Sequence, residues 1–350
     1  MKFNRNIIIG DRTISDTAPV FIIAEAGVNH GGDIEIAKQL IDIAAESGAD
    51  AVKFQAFRTE NLILKSVEKA PYQQQTTDAK EGQFEMLKKL ELTKQHYQAL
   101  KDYCDQKDII FMITPFDEES LKELEEIGVN AYKVASTDTT NIPFLRKLAM
   151  TKKPLILSTG MCYMDEVKQV VSEIFTYNKD LILLQCTANY PIEDNEANLA
   201  VVKTYIDTFD CIVGYSDHSV GIGAAPLSIP MGAKVVEKHF TINKEDSGPD
   251  HLASLDPEEL KAFVKYVRQI EQYMGQGIKE PTASEAKTRK SLQKCLVAKE
   301  KINQGKTFTD ENLVAKRTGG VGISPLHYPD LLGKAATKDY EPNDIIDEQA

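Results

Sequence analysis

Cysteine is scarce in this sequence, and long apolar runs are absent. The five cysteines are odd in number, widely spaced and never arranged as CxxC, so neither a disulfide framework nor a structural zinc site is predicted. No run approaches the roughly 20 apolar residues that a membrane helix needs. The N-terminus lacks the apolar core and cleavage site of a signal peptide. These absences predict a protein of a reducing, cytoplasmic compartment.

Positive charge is also in short supply. Lysine and arginine number 41 against 53 acidic residues, which gives a formal net charge of −12. Repulsion from phosphate backbones therefore argues against a nucleic-acid partner. An anionic substrate stays compatible with this balance if lysines, hydroxyls and backbone amides form a local pocket. With 350 residues, the chain can form one large domain plus a small one, or two ordinary domains.

Eight short apolar runs rich in β-branched residues recur along the chain. Most are continuously hydrophobic, as in strands buried on both faces of a parallel sheet. Segments with helical spacing lie between them, and this alternation predicts a (β/α)8 barrel, a fold of about 250 residues. A doubly wound sheet is the alternative, but no GxGxxG turn follows the first strand. The predicted strands are 20–26, 50–56, 109–114, 131–135, 154–158, 181–187, 211–215 and 234–239.

Two parts of the chain depart from this alternation. The connection 57–109 is too long for a barrel loop, and its position after a strand predicts a lid over the active site. The C-terminal part is broken into short apolar runs and turns, which predicts a small, mostly β module. The predicted organisation is a barrel over residues 1–275, a polar linker over 276–290 and the module over 291–350.

Polar residues end all eight predicted strands, and in a barrel these ends converge on one opening. His218 and His239 end the last two strands. Two neutral imidazoles can hold one divalent metal that acts as a Lewis acid on a carbonyl oxygen. The alternative is a pair of histidines that only make hydrogen bonds.

Two lysines, Lys53 and Lys133, stand at strand ends among hydroxyl residues. Lysines and hydroxyls together suit a substrate that carries a phosphate and a carboxylate. Two alternatives stay open at this stage. The lysines can form salt bridges with Glu25 or Glu237, and Lys53, Lys133 or Lys238 can act as the Schiff-base lysine of an aldolase.

Seven separated motifs occur in order along the chain: FIIAEAGVNHGGD (21–33), VKFQ (52–55), STGM (158–161), CTANYP (186–191), GYSDH (214–218), EKHF (237–240) and GPDH (248–251). They resemble the motifs of bacterial sialic acid synthases. The C-terminal module resembles the antifreeze-like (SAF) domain of the same family, down to Lys316-Arg317. The resemblance covers essentially the whole chain.

The resemblance implies a reaction. Phosphoenolpyruvate would condense with an N-acetylmannosamine-type sugar and water to give a nine-carbon 2-keto sugar acid, N-acetylneuraminate or legionaminate, plus phosphate. His218 and His239 would hold a divalent metal, Mn2+ with Mg2+ or Co2+ as alternatives, that polarises the sugar aldehyde. The lysine-dependent aldolase on the same barrel is the competing hypothesis.

The resemblance also implies roles for individual residues. Arg317 would reach the N-acyl group in the other subunit's barrel, so the active enzyme would be a domain-swapped homodimer. The remaining roles are catalysis by Glu25, Asp138 and Glu237; phosphoenolpyruvate binding by Lys53, Thr114, Lys133, Ser136, Ser158 and Ser216; and sugar binding by Gln55, Tyr190 and Asp250.

The sequence departs from the family pattern at three places. Ser136-Thr137-Asp138 replaces the Ser-Gly-Glu of many relatives, and Ala188 replaces a phosphate-contacting Asn of some members. Thr318-Gly319-Gly320 follows Arg317 where Pro-Gly is usual. The sugar prediction depends on other positions: Phe54-Gln55 and the segment 69–73 resemble the branch that contains legionaminic acid synthases.

Overall fold

The computed structural model describes residues 1–78 and 80–347. The chain divides into two compact units, Met1–Gly275 and a second unit that begins at Gln276. The last three residues of the predicted module 291–350 lie outside the described residues.

Strands form the interior of both units. They are β1 (Asn6–Ile9), β2 (Arg12–Ser15), β3 (Phe21–Gly27), β4 (Ala51–Ala56), β5 (Ile110–Pro115), β6 (Tyr132–Val134), β7 (Leu155–Ser158), β8 (Leu181–Cys186), β9 (Ile212–Asp217), β10 (Val235–His239), β11 (Lys294–Ala298) and β12 (Leu313–Arg317).

Helices follow most of these strands. They are α1 (Ile34–Ser47), α2 (Thr59–Leu62), α3 (Pro71–Thr76), α4 (Gln83–Leu90), α5 (Lys94–Gln106), α6 (Glu118–Ile127), α7 (Ile142–Met150), α8 (Met164–Tyr177), α9 (Ala200–Thr208), α10 (Ala224–Ser228), α11 (Pro257–Met274), α12 (Ala283–Leu292) and α13 (Tyr328–Leu331). None of the described helices is long and apolar enough to cross a membrane.

The first unit is the predicted eight-stranded barrel. Its hydrogen-bonded strand order is β5-β4-β3-β10-β9-β8-β7-β6, every pair is parallel, and β5 and β6 contact each other across the remaining seam. All eight strands are buried along their whole length, except at the half-buried Gln55 in β4. This burial explains why their sequences are continuously apolar. A closed sheet excludes the doubly wound alternative.

Helix α1 shows how local sequence sets the outer layer. Asp33 caps its N-terminus by accepting hydrogen bonds from the backbone N–H groups of Glu35 and Ile36. The helix ends at Gly48, whose left-handed φ of 80° suits glycine. Its apolar face, Ala37, Leu40, Ile41 and Ala44, is buried against the sheet and neighbouring helices. This segment between the first two barrel strands is therefore a helix, as its helical spacing predicts.

A hairpin that the sequence prediction had not assigned packs with one end of the barrel interior. Strands β1 and β2 pair antiparallel, and Ile7, Ile9 and Ile14 pack with the interior residues of the barrel strands. Ile8, which lies between Ile7 and Ile9 in β1, is exposed, because successive side chains of a strand point to opposite faces. The inward residues Phe21, Ile23 and Met112 belong to the same cluster. The N-terminal half of the barrel is thus packed solid, and the polar strand ends lie at the other end.

The second unit has its own small core. Strands β11 and β12 are antiparallel: Lys294 is paired with Arg317 at one end of the ladder, and Ala298 is paired with Leu313 at the other. Leu296, Phe308 and Tyr340 are buried in the centre of this unit. The segment 276–290, predicted as a linker, contains most of α12, and none of the residues of α12 is buried.

Candidate active site

The parallel register brings the predicted site residues to one end of the barrel. Glu25 at the end of β3 is level with Lys53 on β4 and with His239 on β10. Gln55 on β4 is level with Thr114 on β5. Because each strand contributes its last residues, side chains that are far apart in the sequence become neighbours.

Two lysines and two glutamates form a buried charged cluster at this end. Lys53 Nζ lies 2.6 Å from Glu25 Oε2 and 3.7 Å from Glu237 Oε2, and Lys133 Nζ lies 3.3 Å from Glu237 Oε1. Lys53 also donates to Thr114 Oγ1 at 3.3 Å, and Ser216 Oγ donates to Glu237 Oε1 at 2.8 Å. The salt bridges that the sequence analysis left open therefore exist, and they hold both ammonium groups in the barrel mouth.

The two carboxyls of this cluster differ in proton affinity. Burial raises the pKa of Glu25 to about 7, although Lys53 opposes the rise. Burial also acts on Glu237, but Lys133 and Lys53 outweigh it and lower the pKa of Glu237 to about 2. Glu25 is thus poised to exchange a proton near neutral pH, whereas Glu237 stays ionised as the counter-ion of the lysines.

A second group of hydroxyls lies around the glycine that follows β7. The Gly160 N–H donates to Ser136 Oγ at 2.9 Å. A β-carbon at Gly160 would lie 2.8 Å from that oxygen and 2.9 Å from the β-carbon of Ala188, so only glycine fits here. Ser158 Oγ is buried and has no hydrogen-bond partner among the described residues. A buried hydroxyl without a partner is what a polar substrate group would satisfy.

The two histidines lie side by side in the same opening. Their ring centroids are 5.3 Å apart. His218 Nδ1 lies 2.7 Å from the Thr187 carbonyl oxygen, which can only accept, so Nδ1 carries a proton. His239 Nδ1 is buried without a hydrogen-bond partner among the described residues.

The donor set suits a divalent metal held by two imidazoles. Burial and the charge of His218 lower the pKa of His239 well below its usual value, which favours the neutral form that binds metal. Burial lowers the pKa of His218, but Cys186 and the Thr187 carbonyl raise it by more. Within residues 1–78 and 80–347, no group of three or more His, Cys, Asp or Glu has metal-binding geometry. Water or substrate would therefore supply the other ligands.

The residues predicted to bind sugar border the same opening. A β-carbon at Gly27, whose φ is +55°, would lie 3.3 Å from Gln55 Nε2, 3.3 Å from Glu25 Oε1 and 3.4 Å from Asp250 Oδ2. Asp250 Oδ2 also lies 3.7 Å from His239 Nδ1. Burial raises the pKa of Asp250 to about 6, against the charges of His218 and Lys53. Gln55, Glu25 and Asp250 thus converge beside the histidines.

Tyr190 lies directly over the histidines. Its ring is 4.0 Å from the His218 ring at an interplanar angle of 33°, and 5.4 Å from the His239 ring in an edge-on arrangement. An aromatic ring beside a polar cluster offers an apolar face for a sugar.

Two candidate residues of the first unit lie apart from this cluster, and a third candidate belongs to the second unit. Asp138 is buried just after β6, and its carboxylate accepts from Asn141 Nδ2 at 2.9 Å rather than meeting the lysines. Arg317 ends β12 in the second unit and is exposed. Lys238, a candidate Schiff-base lysine, is completely buried and donates to Asp217 Oδ2 at 3.1 Å. An amine held in this way is not available to a substrate carbonyl.

Thr187 and Cys186, which stand at the end of the sixth predicted strand and in the motif at 186–191, also contribute to the site, although no role was predicted for them. The Thr187 carbonyl fixes the proton on His218, and Thr187 Oγ1 donates to the Glu196 carbonyl at 2.8 Å. Cys186 Sγ lies 3.8 Å from His218 Nδ1. Tyr72, whose ring lies 5.2 Å from that of Tyr190, belongs to the predicted lid and to the segment 69–73 on which the sugar prediction depends, although no role was predicted for it.

Comparison with known proteins agrees with this fold. The NeuB family profile matches residues 40–279, and the SAF domain profile matches residues 293–349. An N,N'-diacetyllegionaminic acid synthase of Campylobacter jejuni is 45% identical over 330 residues, 93% of this chain and 98% of the relative. A protein of the same name from Legionella pneumophila is 43% identical over 338 residues, 95% of this chain and 94% of the relative.

A solved structure is similar as well. The N-acetylneuraminic acid synthetase of Leptospira borgpetersenii, solved with citrate, has a TM-score of 0.73 and 36% identity, covering 82% of this chain and 96% of its own. The resemblance to sialic acid synthases and the barrel-plus-SAF architecture predicted from the sequence are both confirmed. The chain belongs to the NeuB family, whose sialic and legionaminic acid synthases are its relatives.

Proposed function

We propose that this nonulosonic acid synthase condenses phosphoenolpyruvate with an N-acylated mannosamine-type sugar and water, releasing a nine-carbon 2-keto sugar acid and phosphate. The observation that carries the proposal is the buried pair Lys53 and Lys133 beside two histidines at the open end of the barrel. The names of the synthase relatives support the same reaction class.

In this proposal the lysines bind the anionic substrate. Phosphoenolpyruvate carries a phosphate and a carboxylate, and Lys53 and Lys133 offer two ammonium groups to them. The partnerless Ser158 hydroxyl supplies a further hydrogen bond, as do Ser136, Thr114 and Ser216 at other strand ends of the same opening. Burial acts to lower the pKa of both lysines, and Glu237, which its own low pKa leaves ionised, opposes that effect while the substrate is absent.

Glu25 is the group that moves a proton. Its pKa of about 7 lets it take a proton from the attacking water or from a sugar hydroxyl and return it later. Gln55 Nε2 donates to Glu25 Oε1 at 3.3 Å and so orients this carboxyl toward the sugar end. A divalent ion, Mn2+ with Mg2+ or Co2+ as alternatives, would be held by His218 and His239 and would supply Lewis-acid polarisation of the sugar aldehyde.

For the sugar we propose 2,4-diacetamido-2,4,6-trideoxymannose, with N-acetylmannosamine as the competing substrate. The two legionaminic acid synthase relatives support this choice. The proposed assembly is a domain-swapped homodimer in which Arg317 of one chain serves the barrel of the other.

A phosphate-release assay tests the proposed function. Metal-replete enzyme is mixed with phosphoenolpyruvate and each sugar in turn, with reactions lacking the sugar or containing a strong chelator as controls. We expect phosphate only when phosphoenolpyruvate, sugar and metal are all present. If metal-replete enzyme releases phosphate with neither of the two sugars, the proposal is refuted. Activity that survives chelation, together with a borohydride-trapped substrate adduct, would instead favour the lysine-dependent aldolase.

A further inference from the structure

The segment before α4 is braced by its own buried polar groups. Lys69 is buried, and its Nζ donates to Thr77 Oγ1 at 2.8 Å and to the Asp78 carbonyl at 2.7 Å. It also lies 3.4 Å from Glu81 Oε1. A buried ammonium with three partners holds the ends of this segment together. These contacts of Lys69 therefore fix the position of helix α3, which carries Tyr72 and Gln73.

Gln73 fixes the neighbouring tyrosine hydroxyl. Gln73 Oε1 accepts from the Ala70 N–H and from Gln83 Nε2, both at 3.0 Å, which sets the orientation of the amide. Its Nε2 then donates to Tyr72 Oη at 3.4 Å. Because Tyr72 Oη accepts this bond, its own hydrogen is free to donate to another group.

The ring of Tyr72 packs beside the Tyr190 ring that covers the two histidines. It lies 5.2 Å from the Tyr190 ring, and Tyr190 in turn covers His218 and His239. Burial raises the pKa of Tyr72, and the charge of Asp250 raises it further. Tyr72 thus stays protonated and remains a donor, on the side of the site where Asp250 lies.

We propose that Tyr72 is a specificity-determining residue that recognises a second acylamino group on the sugar. The inference rests on the proposed function and concerns the same site. An acylamino group presents a carbonyl oxygen and a methyl group. Tyr72 offers the matching pair, a free hydroxyl hydrogen for the oxygen and an aromatic ring for the methyl group. A sugar with a plain hydroxyl at that position presents neither the carbonyl nor the methyl group.

Tyr72→Phe tests the assignment because it removes only the hydroxyl and keeps the ring. We expect kcat/KM for 2,4-diacetamido-2,4,6-trideoxymannose to fall about tenfold, the effect of one lost hydrogen bond of roughly 1.4 kcal/mol. We expect kcat/KM for N-acetylmannosamine to change less than about twofold. Tyr163→Phe, at a tyrosine that is 81% exposed, is the matched control and should change neither value.

The outcome separates this inference from the proposed function. If the wild-type protein uses either sugar and Tyr72→Phe leaves the ratio of the two kcat/KM values unchanged, only the assignment of Tyr72 is overturned. An equal loss for both sugars also overturns it, since Tyr72 would then only support Tyr190. If the wild-type protein releases no phosphate with either sugar, the proposed function fails and the assignment fails with it.

Discussion

At the scale of residues, Glu25 and Glu237 show how a site separates the tasks of two identical side chains. Both are buried in the barrel mouth and both meet Lys53. Glu237 additionally meets Lys133 and accepts from Ser216, and these contacts stabilise its ionised form. Glu25 has fewer contacts that stabilise its ionised form, so the effect of burial prevails and raises its pKa to about 7. A carboxyl with a pKa near the working pH is the effective proton carrier.

Glu25→Gln should therefore lower kcat by about a hundredfold or more, since general acid–base catalysis typically contributes that factor. Phosphate release under saturating substrates measures the loss. Circular dichroism should show an unchanged fold, because glutamine fills the same space. Glu35→Gln on the exposed side of α1 is the matched control and should keep full activity. A Glu25→Gln enzyme with wild-type kcat would contradict the assigned role.

At the scale of elements, neighbouring strands are joined by buried charges as well as by their backbone ladders. Lys238 on β10 and Asp217 on β9 are both fully buried, and their charged atoms lie 3.1 Å apart. Asp217 also accepts from the backbone N–H groups of Ser219 and Ala225. The pair thus ties β9, β10 and the loop that follows β9 together behind the two histidines.

Lys238→Met should lower the free energy of unfolding by about 3–5 kcal/mol, the usual cost of removing one partner of a buried ion pair. Urea denaturation measures this change. Lys203→Met removes the lysine of an exposed pair with Asp207 and should change stability by less than about 1 kcal/mol. Equal stability of the Lys238→Met and wild-type proteins would show that the pair does not join the strands energetically.

At the scale of the whole molecule, the second unit carries one residue that the proposed function needs. Arg317 is exposed at the end of β12, where it pairs with Lys294 of β11. In the proposed swapped dimer, this charge completes the site in the partner's barrel. The arrangement would explain why a small module with its own core accompanies a complete barrel.

Mixing two inactive proteins tests this arrangement. Arg317→Ala and His218→Ala are each expected to be inactive while folded. In a swapped dimer, a mixed pair contains one intact barrel served by one intact arginine, so refolded equimolar mixtures should recover about a quarter of wild-type activity. Phosphate release measures the recovery, and each variant refolded alone is the control. No recovery in a mixture shown to contain mixed dimers would contradict the swap.

The sequence by itself determined the eight barrel strands and the end of the barrel at which the predicted site residues meet. Apolar periodicity is local, so the eight strands and helix α1 could be predicted from short windows of sequence. The parallel order of the strands then placed Glu25, Lys53, His218 and His239 at one opening, because the ends of parallel strands converge.

Tertiary structure decided what each of those side chains can do. Proton affinity depends on neighbours through space, so the difference between Glu25 and Glu237 arises only when strands bring different lysines beside them. Asp138 meets Asn141 rather than the cluster, and the contact of Tyr72 with Tyr190 joins distant parts of the chain. Such contacts leave no periodic trace in the sequence, because they depend on the packing of whole elements rather than on the residues next to them.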